Sequence, residues 1–124
     1  MKKKFSTLST PDKVKAMLAF FNEHKGQDIV SLDLSKQSTF AEAMLVVTAS
    51  SMRHAQSLAE GLILFCKEQN FEYLRTEGKQ TGQWILIDCN DIVVNIFQAP
   101  VRDLYKLERL WEELPKNTLA PTEE

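Results

Sequence analysis

Apolar side chains recur along this chain with two different periods, and the change from one to the other outlines its elements. Val14, Met17, Leu18 and Phe21 repeat at i, i+3, i+4 and i+7, the spacing of one helix face. Thr10-Pro11-Asp12 marks the start, with a hydroxyl cap, a proline suited to the first helical position and an acid in the first turn. Gly26 ends that helix. Asp28 to Leu34 and Met44 to Ala49 read as strands joined by the polar connection Ser35 to Thr39. Ser50-Ser51 caps a second helix whose inner face is Ala55, Leu58, Ala59, Leu62 and Cys66, with Asn70 closing it. Phe71 to Leu74 predicts a short strand, and Glu77 to Gly82 a polar, glycine-containing loop.

The stretch from Trp84 to Leu114 organises the rest. Ile85, Ile87 and Cys89 alternate with Trp84, Leu86 and Asp88, and Ile92, Val94 and Ile96 alternate with Val93, Asn95 and Phe97. This period of two predicts a hairpin, with Asn90-Asp91 able to take left-handed turn geometry. Both faces are largely apolar, which places the hairpin inside a sheet covered on two sides. Pro100 begins a last helix with Leu104, Leu107, Trp111 and Leu114 along one face, and Pro115 stops it. The order helix–strand–strand–helix–strand–strand–helix argues for one α/β domain, a mixed β-sheet flanked by helices, over residues 10 to 114. Residues 1 to 9 and 115 to 124 lack the pattern and read as flexible tails.

Composition narrows the function classes. A chain of 124 residues with 44% hydrophobic and 26% charged residues is an ordinary globular domain. A net charge of −2 offers no broad basic field, so direct binding to nucleic acid is not expected. No segment has the length and apolarity of a signal peptide or membrane span, and the two cysteines, Cys66 and Cys89, fit free thiols in a reducing cytoplasm. Neither has a cysteine or histidine at ligand spacing.

Catalytic templates are missing: there is no glycine-rich phosphate loop, nucleophile elbow or paired-histidine metal motif. His54, after Arg53 at a helix start, reads as a surface residue. Asp88 and Asp91 flank the hairpin turn, but no third acid on an adjoining strand completes a divalent-cation site. The other reading of these acids is recognition. Trp84 sits at a strand mouth beside Glu77, Asp88 and Asp91, and an aromatic anchor ringed by charge is a common interface device. Trp84 as a plain core residue is the competing reading.

Ordered along the chain are Lys25, Asp28-Ile29, Leu32-Asp33, Thr48-Ala49-Ser50-Ser51-Met52-Arg53-His54, Glu77-Gly78, Trp84 and Asp88. They continue with Asp91-Ile92-Val93-Val94, Phe97, Arg102, Leu104-Tyr105 and Leu107-Glu108-Arg109-Leu110-Trp111. In this set, spanning about residues 12 to 114, the chain resembles the ribosomal silencing factor family, also called Iojap-like proteins. The resemblance implies a nucleotidyltransferase-like fold without transferase activity, and the chain lacks that superfamily's Gly-Ser loop and Asp-x-Asp pair. It also implies binding to the large ribosomal subunit through its fourteenth protein, at the intersubunit face, blocking the joining of the small subunit and lowering translation under scarcity. Expected partner-binding residues are Glu77, Trp84, Asp88, Asp91, Tyr105 and Glu108, with no cofactor and no metal. Asn95 stands where the family usually has His, Asn90 where Gly is usual and Ala49 where Gly is usual. A role needing an imidazole at 95 is therefore lost. A metal-dependent nucleotidyl or phosphoryl transferase and a homodimeric scaffold using the same apolar surface are the alternative readings.

Overall fold

The computed structural model of the chain describes residues 5–36, 41–105 and 116–117. Its first helix is capped one residue before the sequence signal. Ser9 is the cap, its hydroxyl accepting from the Asp12 N–H at 3.3 Å, so that Thr10 is already helical in α1 (Thr10–Glu23). Lys25 holds the left-handed conformation after the helix, with φ 67°. Gly26 is required for space: a Cβ there would stand 2.8 Å from Val47 Cγ1.

Two strands follow, β1 (Gln27–Asp33) and β2 (Ala43–Ala49), and then α2 (Met52–Gln69). Ser51 caps α2 by accepting from the His54 N–H at 3.0 Å, and Asn70 ends it in left-handed geometry at φ 63°. The chain continues through β3 (Arg75–Glu77), β4 (Trp84–Asp88), β5 (Ile92–Gln98), α3 (Ala99–Tyr105) and β6 (Lys116–Asn117).

The expected strand at Phe71 to Leu74 does not form. The Phe71 N–H is used to close α2, donating to the Cys66 carbonyl at 2.8 Å, and the Phe71 ring is buried. Pairing starts with Leu74, whose N–H donates to the Asp88 carbonyl at 2.8 Å, so the strand begins at Arg75 and takes in Glu77, which the sequence pattern places in the loop. Lys116 and Asn117, expected in the tail, pair with Leu32 and Ser31 at the sheet edge. Residues 106–115, over which the sequence extends the last helix to Leu114, lie outside the described residues.

The sheet order is β3-β4-β5-β2-β1-β6. β2 and β5 run parallel, with α2 in the chain between them, and β4 and β5 form the antiparallel hairpin. Asn90 turns that hairpin at φ 74°, and its N–H donates to Asp88 Oδ1 at 2.9 Å.

Register gives the sheet two different faces. Ile85, Ile87, Ile92, Val94, Ile96, Leu45 and Val47 face one way and are fully buried. They meet Met17, Leu18 and Phe21 of α1 and Leu58, Ala59 and Leu62 of α2 in the main core. Each such aliphatic side chain contributes about 1.5–3 kcal/mol by leaving water, so this layer carries the fold's stability. Among the described residues, α3 packs on the opposite face against β5 and β2. Among the described residues no helix is long and apolar enough to cross a membrane.

Candidate functional site

The partly covered face of the sheet reads as three rows, because residues in register share a side. Arg75, Asp88, Val93, Met44 and Leu32 form the first row. Glu77, Leu86, Asn95, Val46 and Val30 form the second, and Trp84, Phe97 and Thr48 the third. Burial rises across each row towards α3: Val46, Thr48, Asn95 and Phe97 are buried, while Trp84, Leu86, Asp88, Val93 and Met44 are half-buried. Among the described residues the result is an apolar shelf with an acidic margin, open at its β3–β4 side.

Trp84 occupies the shelf's edge and is half-buried there. Its ring packs on buried Phe97 with centroids 4.9 Å apart and 32° between planes. Its indole N–H donates to Asn95 Oδ1 at 2.9 Å. An indole nitrogen can only donate, so this bond decides which end of the Asn95 amide is oxygen. The amide nitrogen Nδ2 is consequently turned away, buried, and without a hydrogen-bond partner among the described residues.

The margin is an ion cluster. Arg75 Nε lies 2.9 Å from Glu77 Oε2, and Arg75 Nη1 lies 3.5 Å from Asp88 Oδ2. One guanidinium between two carboxylates leaves the cluster with a single net negative charge. Exposed pairs of this kind add little stability. Their physical effect is to hold carboxylates in place beside the apolar shelf.

Among the expected site residues, Glu77, Trp84 and Asp88 are brought together. Asp91 is not. Its carboxylate points to the helical side of the sheet, where Oδ2 accepts from Thr10 Oγ1 at 2.9 Å and meets Lys13 Nζ at 3.2 Å. Only two residues separate the two aspartates, but the turn at Asn90 carries the chain from one face to the other. Tyr105 is the last residue of α3, its side chain outside the described part, and Glu108 lies outside the described residues. Arg75, Leu86 and Asn95 are members that the sequence reading did not assign to the surface. The alternation Leu86–Asp88 and Val93–Asn95–Phe97 carries them, once β3 is known to extend the sheet.

Buried Arg102 sets where α3 lies on this face. Its Nη1 donates to the Asp28 carbonyl at 2.6 Å and to Thr48 Oγ1 at 2.7 Å. His54 is structural: its Nδ1 accepts from the Ser50 N–H at 2.9 Å and its Nε2 donates to the His24 carbonyl at 3.0 Å, tying α2 to the end of α1. Cys66 and Cys89 are buried in mutual contact. The hydrogen bond that Cys89 donates to Cys66, burial and the nearby negative charges of Asp88 and Asp91 push the Cys89 thiol far up. Among the described residues no three His, Cys, Asp or Glu side chains converge on a metal position.

The sequence also matches, over residues 7–124, a family model described as "Ribosomal silencing factor during starvation". A Haemophilus influenzae protein named ribosomal silencing factor is 39% identical over 87 residues, spanning 70% of this chain and 85% of that one. The Mus musculus protein named "Mitochondrial assembly of ribosomal large subunit protein 1" is 20% identical over 98 residues, spanning 77% of this chain and 43% of its own length. A crystal structure of a Chromobacterium violaceum protein superposes with a TM-score of 0.81 at 33% identity, over 84% of this chain and 87% of that one.

Proposed function

The chain belongs to the ribosomal silencing factor family, and on that premise we propose that it is a cytoplasmic, non-enzymatic translation repressor. It binds the large ribosomal subunit through that subunit's fourteenth protein, at the face that meets the small subunit. It then keeps the subunits apart by filling the space between them. Occlusion of this kind needs affinity and bulk, not bond chemistry, so the function asks for a docking surface and no cofactor.

The observation that supports this reading is the half-buried Trp84 at the edge of an apolar shelf, bordered by Glu77 and Asp88. A ring already packed on Phe97 loses little freedom on binding, which favours an anchor role. The net negative margin complements a basic ribosomal protein and favours encounter and orientation.

The test is co-sedimentation of the purified protein with isolated large subunits, together with a light-scattering assay of subunit joining. The parent should sediment with large subunits and slow joining. Trp84→Ala should weaken binding by about 2 kcal/mol, nearly thirtyfold, and Asp88→Lys should weaken it with the fold intact. Both variants folded and binding as the parent does would refute the assignment of this surface. Micromolar binding of Mg²⁺ and ATP in calorimetry would instead favour a transferase.

A further inference from the structure

We propose that Asn95 is the positioning residue of this surface: its amide oxygen holds the Trp84 indole in the orientation in which it meets the partner. The proposal rests on the reading of the Trp84 face as the ribosome contact, and it concerns a residue that is itself too buried to touch anything outside the molecule.

Asn95 lies in β5, between β4 and β2 in the sheet, 1% exposed, with Leu86 and Val46 in register on either side. An amide in such a place is costly, since both its ends need partners that aliphatic neighbours cannot supply. Only one end has one among the described residues, the Oδ1 that accepts from Trp84 Nε1 at 2.9 Å. A leucine has nearly the same shape and would remove the buried N–H altogether. What the amide supplies in exchange is direction. Phe97 packing alone allows an indole to slide or turn over, because dispersion contact has little angular preference. A hydrogen bond to Nε1 fixes which edge of the ring is tucked in and which edge remains at the surface. The diagonal placement of residues 84 and 95 on adjacent strands, one step off the Trp84–Phe97 pair, lets the long indole reach across. An anchor held in its bound orientation beforehand gives up less side-chain freedom on association.

The experiment uses the full chain labelled with ¹⁵N. Trp84 and Trp111 give the two indole N–H signals, and Trp84→Phe identifies which is which. Asn95→Leu should fold with a thermal midpoint close to the parent's, because the acceptor and the unpartnered N–H leave together. In it, the Trp84 Nε1–H signal should shift and exchange with solvent at least about tenfold faster. Affinity for isolated large subunits should fall by about tenfold, near the upper end of what one immobilised side chain contributes. In a Trp84→Phe background the same change at 95 should alter affinity less than about twofold. If leucine prevents folding, Asn95→Ala takes its place with the same expectations for signal and affinity.

A folded variant with the parent's Nε1–H exchange overturns the proposal. So does a variant that loses affinity equally in the Trp84→Phe background, since Asn95 would then act through the fold alone. If Trp84→Ala binds as the parent does, the ribosome-contact reading fails and the affinity consequence falls with it. The indole signal of the free protein separates that outcome from a failure of the Asn95–Trp84 restraint.

Discussion

Asp88 and Asp91 stand at the two ends of one turn with their carboxylates on opposite sides of the sheet. Asp88 Oδ2 lies 3.5 Å from Arg75 Nη1 on the open face, and Asp91 Oδ2 lies 3.2 Å from Lys13 Nζ on the helical face. Two acids that look equivalent along the chain therefore serve different ends.

The pair gives a crossed prediction. Asp91→Ala should destabilise the fold by about 1–3 kcal/mol, because the partly buried Lys13 ammonium and the Thr10 hydroxyl lose a shared acceptor. Folded Asp91→Ala should bind large subunits as the parent does. Asp88→Asn, which keeps the Oδ1 acceptor for the Asn90 N–H and removes only the charge, should change stability by less than about 1 kcal/mol and weaken binding. Urea unfolding and co-sedimentation of both variants decide the matter, and matching profiles would refute the division.

Gly78 joins β3 to the loop before Trp84 with φ 82°, and a Cβ there would collide with the Trp84 carbonyl. Gly78→Ala should cost about 1–3 kcal/mol in backbone strain. Because the clash falls on Trp84 itself, binding should drop as well. A variant with parental thermal midpoint and parental affinity would show that the loop yields at no cost.

The Cys89 thiol, pushed up by its bond with Cys66 and by burial, stays protonated in the fold at pH values where an unfolded thiol ionises. A group favoured in its protonated form contributes stability that is fully present below the unfolded thiol pKa, about 8.5, and declines as pH rises above it. Unfolding free energy should therefore fall by up to about 1.4 kcal/mol per pH unit between pH 9 and 10 on account of this thiol. The double variant Cys66→Ala, Cys89→Ala should reduce the slope by that amount, since removing Cys89 alone would also take away the hydrogen bond that holds the Cys66 thiol down. Urea titrations at pH 7, 9 and 10 supply the measurement; equal slopes in parent and variant would count against it.

Limited proteolysis checks the expected domain limits of 10 to 114 against the pairing of Lys116 and Asn117 with β1. Brief exposure to trypsin should trim the ends first and leave the sheet intact. Early cuts between residues 28 and 97 would contradict a single domain.

Local chemistry made much of this protein legible in its sequence. The extents of α1 and α2 follow from side chains that satisfy their own neighbours' backbone, as Ser51 does for His54, and from Asn70 accepting left-handed geometry. The hairpin follows from alternation over Trp84 to Phe97, since a period of two has one structural meaning. The same alternation carried the mixed sheet and grouped Trp84 with Leu86 and Asp88. Where tertiary contacts compete, the sequence was silent or misleading. Phe71 looks like the start of a strand, but its N–H is taken by the helix end and its ring by Phe65 at 6.0 Å. Arg75 to Glu77 is polar and becomes a strand only because the edge of β4 needs partners. The strand order, the separation of Asp88 from Asp91, and the bond between Trp84 and Asn95 depend on which residues end up across from each other. No local preference encodes that: register and crossover are settled by packing α1 and α2 on one face of the sheet and α3 on the other.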